Sequence, residues 1–421
     1  MARSPLKHLP HRLLPRAAAT TRLAASLAKA GAKRVVRRTI EDDSELGEAL
    51  FGELDKLKGM AMKVGQILSY MEVGLPEHTQ RRLAKLQRGA QPLALEVIAT
   101  EIEVALGAPI DELFDDFEAD PVAAASIGQV HRANFEGRPV AIKVRYPHVR
   151  ETMDSDFKQL RMLGKLASLG TAVDGPALVA ELHERLLEEC DYRAEAESQD
   201  RFSRLFADDP TIHVPGVVAD RCGDSVLTTH WCDGESFQSI RDASPDRRAA
   251  IARTLIRFAF RSVLCHRLLH ADPHPGNFLF VADDRVVVLD FGCTKRLEPE
   301  FVDALANLAR IVIDGERDGL RDAAIRLQLV PRPEKVDFDD LWDMMRHLFA
   351  PYLHPRFTFE RDWWEQGMKF TQPTNRNARH LAVPPQWLWI QRTVWGLHAV
   401  LLKLEVQGSF RDILVDCLEA R

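Results

Sequence analysis

The residues with the clearest chemistry lie in two short segments of the second half of the chain. One segment runs from His270 to Asn277 and reads HADPHPGN, and the other is the triplet DFG that begins at Asp290. Asp272 and Asn277 are five positions apart, the spacing at which an acid orients an acceptor hydroxyl and an amide holds a metal during phosphoryl transfer. Asp290 follows an apolar run, as does the carboxylate that holds the metal bridging nucleotide phosphates. We therefore predict that Asp272 is catalytic and that Asn277 and Asp290 bind a metal.

An apolar strand that ends in a lysine precedes both segments. Residues 140–143 read VAIK, a pattern typical of a strand whose lysine contacts nucleotide phosphates, so Lys143 is predicted to bind nucleotide and to be catalytic. A lysine in a cleft needs a carboxylate partner. The candidates are Glu188, Glu189 and Glu195; we favour Glu195, although the spacing alone leaves the choice open.

A run of small residues stands where a glycine-rich phosphate loop is expected. Residues 123–126 are Ala123, Ala124, Ala125 and Ser126, and we predict that they contact the nucleotide. Alanine keeps a Cβ that restricts positive φ angles, so such a loop holds phosphates differently from a glycine loop. The sequence contains no GxxxxGK[ST] motif, which excludes a Walker-type NTPase.

The charge is unevenly distributed along the chain. The 421 residues carry a net charge of −6, but residues 1–38 contain ten Lys or Arg and no Asp or Glu. The remainder therefore carries −6 − 10 = −16, which argues against nucleic acid as the main partner. The basic segment is expected to be a flexible tail or to contact an anionic membrane. Six cysteines without a CxxC pair indicate reduced thiols in a cytoplasmic protein. The N-terminal segment is rich in Ala, Leu and Arg like a mitochondrial transit peptide, so a mitochondrial location is expected if the protein is eukaryotic.

The periodicity predicts an α+β chain. Residues 41–115 have helical spacing, with one helix over 92–106 that ends at Gly107. Strands are predicted over 122–135 and 139–144 around a turn at 136–138, and over 214–218 and 225–229. A long helix is predicted over 245–270, and residues 300–421 are predicted to be mostly helical. The proposed domains are a basic tail (1–40), a helical extension (41–115), a β-rich lobe (116–233) and a helical lobe (234–421).

Taken together, these motifs resemble the UbiB/AarF family of atypical protein-kinase-like proteins. The resemblance extends in family order from residue 63 to residue 292. The residues that carry it are Lys63-Val64-Gly65-Gln66 for a KxGQ motif, the alanine run 123–126, Lys143, Glu189-Cys190-Asp191 for an ExD motif, Glu195, His270–Asn277 and Asp290–Gly292. Without the resemblance, Lys63 and Gln66 would be an ordinary helix surface, since residues three apart share a face.

The resemblance implies a protein-kinase-like bilobal fold with an N-terminal helical extension that covers the peptide-binding cleft. It implies that Lys63 and Gln66 face the nucleotide, that Lys63 pairs with Glu189, and that Glu189 and Asp191 contribute to the nucleotide site. It further implies ATP or ADP with Mg²⁺ as cofactors, ATPase activity, and a role in isoprenoid-quinone or other lipid metabolism at a membrane. The expected partners are the nucleotide and a lipid or isoprenoid molecule; peripheral membrane contact and a homodimer are left open.

Two departures from ordinary protein kinases are visible. Ala271 replaces the arginine of the catalytic loop, and Glu298-Pro299-Glu300 follows Asp290 by only eight residues, which leaves a short platform for a peptide. Two other functions remain as alternatives. One is a small-molecule phosphotransferase of the aminoglycoside or choline kinase type, which has a similar loop but lacks a KxGQ helix. The other is a non-catalytic scaffold that nucleotide binding switches.

Overall fold

The computed structural model describes residues 92–124, 127–151, 157, 183, 187–370, 372 and 374–421. The basic tail, the KxGQ motif, and Ala125 and Ser126 of the alanine run lie outside these residues. The described chain forms two compact units. One contains the described residues up to Glu197 together with Gly216–Trp231, and the other contains the described residues of Ser198–Pro215 and Cys232–Arg421.

The first unit is built on an antiparallel sheet. In chain order its elements are α1 (Leu95–Leu106), α2 (Ile110–Leu113), β1 (Ala123–Ala124), β2 (Gly128–Phe135), β3 (Arg138–Arg145), the start of α3 (Tyr192–Leu205) and β5 (Val226–His230). The strand order is β1-β2-β3-β5. Helix α1 packs Ile98 and Ile102 against Val140, Ile142 and Val144 of the sheet. Burial of these aliphatic side chains holds the helix on one face of the sheet.

Local signals set two boundaries in this unit as predicted. Helix α1 ends at Gly107, whose φ of 82° places it in the left-handed region that favours glycine at a helix C-terminus. The turn between β2 and β3 contains Glu136 and Gly137 with φ values of 51° and 72°. Two such residues form the tight turn that matches the twist of a β-hairpin. The strand predicted at 214–218 is displaced, because the structure has β4 at Ile212–His213.

The second unit is mainly helical and contains three small sheets. Its elements are the rest of α3, β4, α4 (Phe237–Arg241), α5 (Pro245–Phe260), β6 (Leu268–His270), β7 (Phe278–Phe280), β8 (Val286–Val288), β9 (Thr294–Arg296), α6 (Pro299–Asp314), α7 (Leu320–Arg326), α8 (Phe338–Leu348), α9 (Ala350–Leu353), β10 (Phe357–Thr358), α10 (Arg361–Phe370), α11 (Pro385–Lys403), β11 (Gln407–Gly408) and α12 (Arg411–Glu419). The sheets have the orders β4-β8-β7, β6-β9 and β10-β11.

The helix predicted over 245–270 is wrong at its end. Helix α5 ends at Phe260, a π-helical turn follows over Arg261–Cys265, and 268–270 form strand β6. Arg267 has a φ of 55°, which interrupts the helix, and β6 then pairs with β9. This break directs the chain from the helix into the predicted catalytic loop.

A buried polar pair lies in the core of the helical unit. The Tyr352 hydroxyl and His398 Nε2 are 2.8 Å apart and share a hydrogen bond. Complete burial lowers the pKa of His398 to about 3 and raises the pKa of Tyr352, because the charged form of each group loses its hydration. His398 is therefore neutral at physiological pH. All six cysteines have free thiols, as predicted.

Within the described ranges, none of the helices has both the length and the apolar character needed to cross a membrane.

Candidate functional site

Lys143 lies on the face of the sheet opposite the core. Val140, Ile142 and Val144 of β3 are fully buried, and Lys143 alternates with them along the strand. Because successive side chains of a strand point to opposite faces, the apolar positions fix the direction of the lysine. Strand β3 is bonded to β2 and β5 on its two sides, so Lys143 is on a central strand.

Glu195 is the carboxylate that the structure pairs with Lys143. Lys143 Nζ is 2.7 Å from Glu195 Oε1 and 2.9 Å from Oε2, so the ammonium donates to both oxygens. The Glu195 side chain is only 2% exposed and that of Lys143 is 18% exposed. A carboxylate this deeply buried depends on the nearby ammonium for compensation of its charge. Of the other candidates, Glu188 is exposed and Glu189 is partly exposed.

The start of α3 holds Glu195 in place. Asp191 precedes the helix, and its carboxylate accepts a hydrogen bond from the Ala194 amide at 3.0 Å, as an N-cap residue does. Tyr192 is fully buried, and its ring lies 5.1 Å from Lys143 Nζ, a cation–π distance. Sequence reasoning missed Tyr192, although its position three residues before Glu195 places both on one helical face.

The described part of the alanine run lies in the same sheet as Lys143 but not on a neighbouring strand. Ala123 and Ala124 form β1 and are exposed. Ala123 is in register with Val130 of β2, and Val130 is in register with Lys143 of β3. The alanine strand is therefore two strands away from the lysine, at the exposed edge of the sheet.

In the helical unit, Asp272 and Asn277 are in direct contact. Asn277 Nδ2 donates to Asp272 Oδ2 at 2.9 Å and to the Asp272 backbone carbonyl at 3.2 Å. A short 3₁₀ turn at Pro275–Asn277 brings the amide back towards the carboxylate, and the His274 ring accepts from the Gly276 amide at its start. Since the Asn277 amide nitrogen donates to Asp272, the amide oxygen is the atom of this side chain that can accept a hydrogen bond.

His270 connects this loop to Asp290. Its ring is 5% exposed, and its Nε2 donates to the backbone carbonyl of Asp290 at 2.6 Å. The Asp290 side chain accepts from the Gly292 amide at 3.0 Å. The backbone amide of Leu289 also donates to the carbonyl of Asn277 at 2.9 Å. These bonds hold the HADPHPGN loop and the DFG triplet against each other.

An aromatic cluster surrounds His270 and fixes its ring. Phe291 of the DFG triplet is 1% exposed, and its ring centroid is 5.4 Å from that of His270 in an edge-on arrangement. Phe202 of α3 is 5.0 Å from Phe291, and Phe258 of α5 is 5.7 Å from His270. These contacts indicate a structural role for His270, because its ring nitrogen bonds the Asp290 backbone while aromatic side chains pack around the ring.

The side chains of Asn277 and Asp290 suit Mg²⁺ chemically. Amide and carboxylate oxygens are hard donors, and Mg²⁺ is usually bound by one or two carboxylates together with substrate phosphates. Among the described residues, no group of three or more His, Cys, Asp or Glu has a metal-binding arrangement. Their metal-binding role, and the nucleotide-binding roles of Ala123, Ala124, Glu189 and Asp191, stay predictions. The roles of Lys63, Gln66, Ala125 and Ser126 concern residues outside those described.

A contact behind the loop was not predicted from the sequence. Gly396 of α11 lies so close to Pro273 that a Cβ at this glycine would be 2.5 Å from the proline Cγ. Real Cβ atoms do not approach a neighbour this closely. Helix α11 therefore supports the loop that carries Asp272, and a glycine within an apolar helix next to a proline-containing motif is the signal that could have suggested it.

The family comparison agrees with the motifs. The pattern of the ABC1 atypical kinase-like domain matches residues 85–324 of this chain. This range contains both the Lys143–Glu195 pair and the loop from His270 to Asn277 together with Asp290.

Similar proteins are known from yeast, rat and a mycobacterium. "Atypical kinase COQ8, mitochondrial" of Saccharomyces cerevisiae is 30% identical over 307 residues, which is 72% of this chain and 61% of the relative. "Atypical kinase COQ8B, mitochondrial" of Rattus norvegicus is 32% identical over 297 residues, or 70% of this chain and 56% of the relative. The chain thus matches about three fifths of the length of these relatives. A solved complex of Rv3197 with erythromycin, from Mycobacterium tuberculosis, has a TM-score of 0.67 and 31% identity, and the match covers 88% of this chain and 95% of that one.

Proposed function

The chain belongs to the ABC1 atypical kinase-like family, the UbiB/AarF group expected from its motifs, and from this we propose that it is an Mg²⁺-dependent ATP-binding atypical kinase or ATPase. Its α+β fold is that of the kinase-like class. The observation that carries the proposal is the contact between Asn277 and Asp272 in a loop that is hydrogen-bonded to the DFG segment. A metal-binding amide, an acid and a second metal-binding carboxylate are the groups that phosphoryl transfer from ATP requires.

Each residue has a defined task in this proposal. Lys143, positioned by Glu195, binds phosphate oxygens of the nucleotide, and the alanine run contributes backbone amides. Asn277 and Asp290 hold Mg²⁺, which when bound neutralises charge on the phosphates. Asp272 accepts the proton of the attacking hydroxyl or orients a water molecule, and its hydrogen bond from Asn277 keeps the carboxylate in one orientation. Lys63, Gln66, Glu189 and Asp191 complete the nucleotide site as the family resemblance implies.

The proposed biological role is support of isoprenoid-quinone or other lipid metabolism at a membrane. The yeast and rat relatives are named as mitochondrial proteins, which supports a membrane-rich setting. Contact with the membrane would be peripheral and would use the basic segment 1–38, which contains ten Lys or Arg and no acidic residue. Electrostatic attraction to anionic lipid is then expected to raise ATP turnover and to weaken at high salt.

The proposal is tested by ATP hydrolysis with Mg²⁺, with and without liposomes that contain cardiolipin. Wild type is compared with Asp290→Asn and with Asp283→Asn, a matched control whose side chain is 80% exposed on the surface of the same unit. Loss of a charge-stabilising group typically lowers the rate by about 100-fold or more, so we expect this loss in Asp290→Asn and an unchanged rate in the control.

The remaining outcomes distinguish the alternatives. Equal turnover by wild type and a folded Asp290→Asn variant would contradict the proposal. Nucleotide binding without turnover under any condition would favour the nucleotide-switched scaffold. Rapid phosphorylation of a soluble metabolite would favour the small-molecule phosphotransferase.

A further inference from the structure

The helical unit contains an apolar cavity of about 360 Å³. Protein interiors are close-packed and leave few voids larger than a water molecule, whereas cavities of this size are typical of sites for small organic ligands. The walls come from α5, α6, α8, α9, α10 and α11 and include Phe260, Phe349, Tyr352, Trp387 and Trp395. The cavity belongs entirely to this unit.

The chemistry of the walls selects a neutral ligand. Aliphatic and aromatic side chains predominate, and no Asp, Glu, Lys or Arg is among the lining residues within the described part of the chain. A charged group would lose its hydration in such a cavity without a partner of opposite charge. Met344 and Met345 lie in the wall, and their flexible thioether side chains can adapt to ligands of different shape.

One buried polar group in the cavity wall lacks a hydrogen-bond partner among the described residues. Thr393 of α11 is 5% exposed, and its hydroxyl has no hydrogen-bond partner among the described residues. Buried polar side chains are nearly always hydrogen-bonded, and a threonine within a helix often bonds the backbone carbonyl four residues earlier. The lining thus combines an extensive apolar surface with one threonine whose hydroxyl makes no hydrogen bond to the described residues.

We propose that this cavity binds a neutral, mainly apolar molecule that carries one hydroxyl or carbonyl oxygen. The apolar part of the ligand fills the space between the aromatic and methionine side chains, and its oxygen forms a hydrogen bond with the Thr393 hydroxyl after rotation about χ1 turns this hydroxyl towards the cavity. The aromatic walls favour a ligand with a planar ring, because rings stack well against Phe and Trp.

The test uses two probes that differ only in a hydroxyl, 1-naphthol and naphthalene. Their binding to the full chain without nucleotide is measured by calorimetry and by quenching of tryptophan fluorescence. Thr393→Val keeps the shape of the side chain and removes its hydroxyl. We expect this variant to bind 1-naphthol about 3- to 10-fold more weakly, the effect of one lost hydrogen bond, and to bind naphthalene as wild type does.

A second pair of variants locates the probe. Ala382 lines the cavity and is partly exposed, so Ala382→Trp should occupy part of the cavity volume from a site outside the buried core. Leu388→Trp is the control, because Leu388 is 39% exposed on α11 and does not line the cavity. Loss of 1-naphthol binding in Ala382→Trp alone is the expected result.

Absence of binding to wild type, or equal binding by Ala382→Trp and wild type, would overturn the proposed site. If Ala382→Trp does not fold, the binding of the two probes to Thr393→Val still tests the proposed site. An equal loss of both probes, or no loss of either, would overturn the role of Thr393. Because nucleotide is absent, these outcomes are independent of the proposed ATPase activity.

Discussion

Replacing Lys143 by methionine separates the structural contribution of the Lys143–Glu195 pair from its proposed role in nucleotide binding. Glu195 is 2% exposed and receives the ammonium of Lys143 at 2.7 and 2.9 Å. The substitution leaves a carboxylate in the protein interior without this compensation. Loss of one partner of a buried ion pair costs about 3–5 kcal/mol, and since Lys143 is 18% exposed we expect about 3 kcal/mol.

The double variant Lys143→Met/Glu195→Leu provides the informative comparison. Apolar residues of similar volume often replace a buried ion pair without loss of stability, so the free energy of unfolding should return to within about 1 kcal/mol of wild type. ATP binding should remain lost, because neither new side chain can bind a phosphate. Arg138→Met is a matched control, since Arg138 is an exposed cation on the same strand.

Stability is best measured by hydrogen exchange of the β2 and β3 amides, which reports the opening of this unit alone. ATP binding is measured by calorimetry on the same preparations. If Lys143→Met left the exchange rates unchanged, the claim that the carboxylate depends on the lysine would be wrong. If the double variant bound ATP normally, Lys143 would not be the phosphate ligand.

Two further predictions concern the helical unit. Gly396→Ala should displace Pro273, because the new Cβ would be 2.5 Å from the proline ring. The resulting overpacking strain of about 1–3 kcal/mol should lower ATP turnover about tenfold. Unchanged turnover would show that α11 does not support the loop. The pKa of His398 is about 3 in the folded protein and 6.5 in the unfolded chain. Between these pH values His398 is protonated only in the unfolded chain, so the stability of the folded protein falls as the pH drops from 6.5 towards 3. Urea denaturation should show that the free energy of unfolding falls by about 2 kcal/mol less in His398→Gln than in wild type between pH 7 and pH 5. An equal fall in both proteins would contradict the lowered pKa of His398.

Much of the β-rich unit could be predicted from the sequence because local signals control it. The glycine at 107 ends α1, and the Glu136-Gly137 turn joins β2 to β3. The alternation of Val140, Ile142 and Val144 also determines which face Lys143 occupies. Each of these features depends on residues that are adjacent or nearly adjacent in the chain.

Features that depend on distant partners could not be predicted in the same way. The helical pattern continues through 268–270, yet these residues form a strand because Thr294–Arg296 pair with them. Glu188, Glu189 and Glu195 were equivalent by spacing, and only the direction of α3 after its Asp191 cap selects Glu195. The cavity beside Thr393 depends on the packing of several helices, for which the sequence has no local signal.

We propose that this chain binds ATP through Mg²⁺ held by Asn277 and Asp290. The most direct test is calorimetric titration of ATP into wild type and Asp290→Asn, each with Mg²⁺ and with excess chelator. We expect Mg²⁺ to strengthen ATP binding to wild type by at least about tenfold and to have little effect on the variant, because a carboxamide is a weaker Mg²⁺ ligand than a carboxylate. Binding that is independent of Mg²⁺ in wild type, or equally dependent on Mg²⁺ in the variant, would show that Asp290 does not hold the metal.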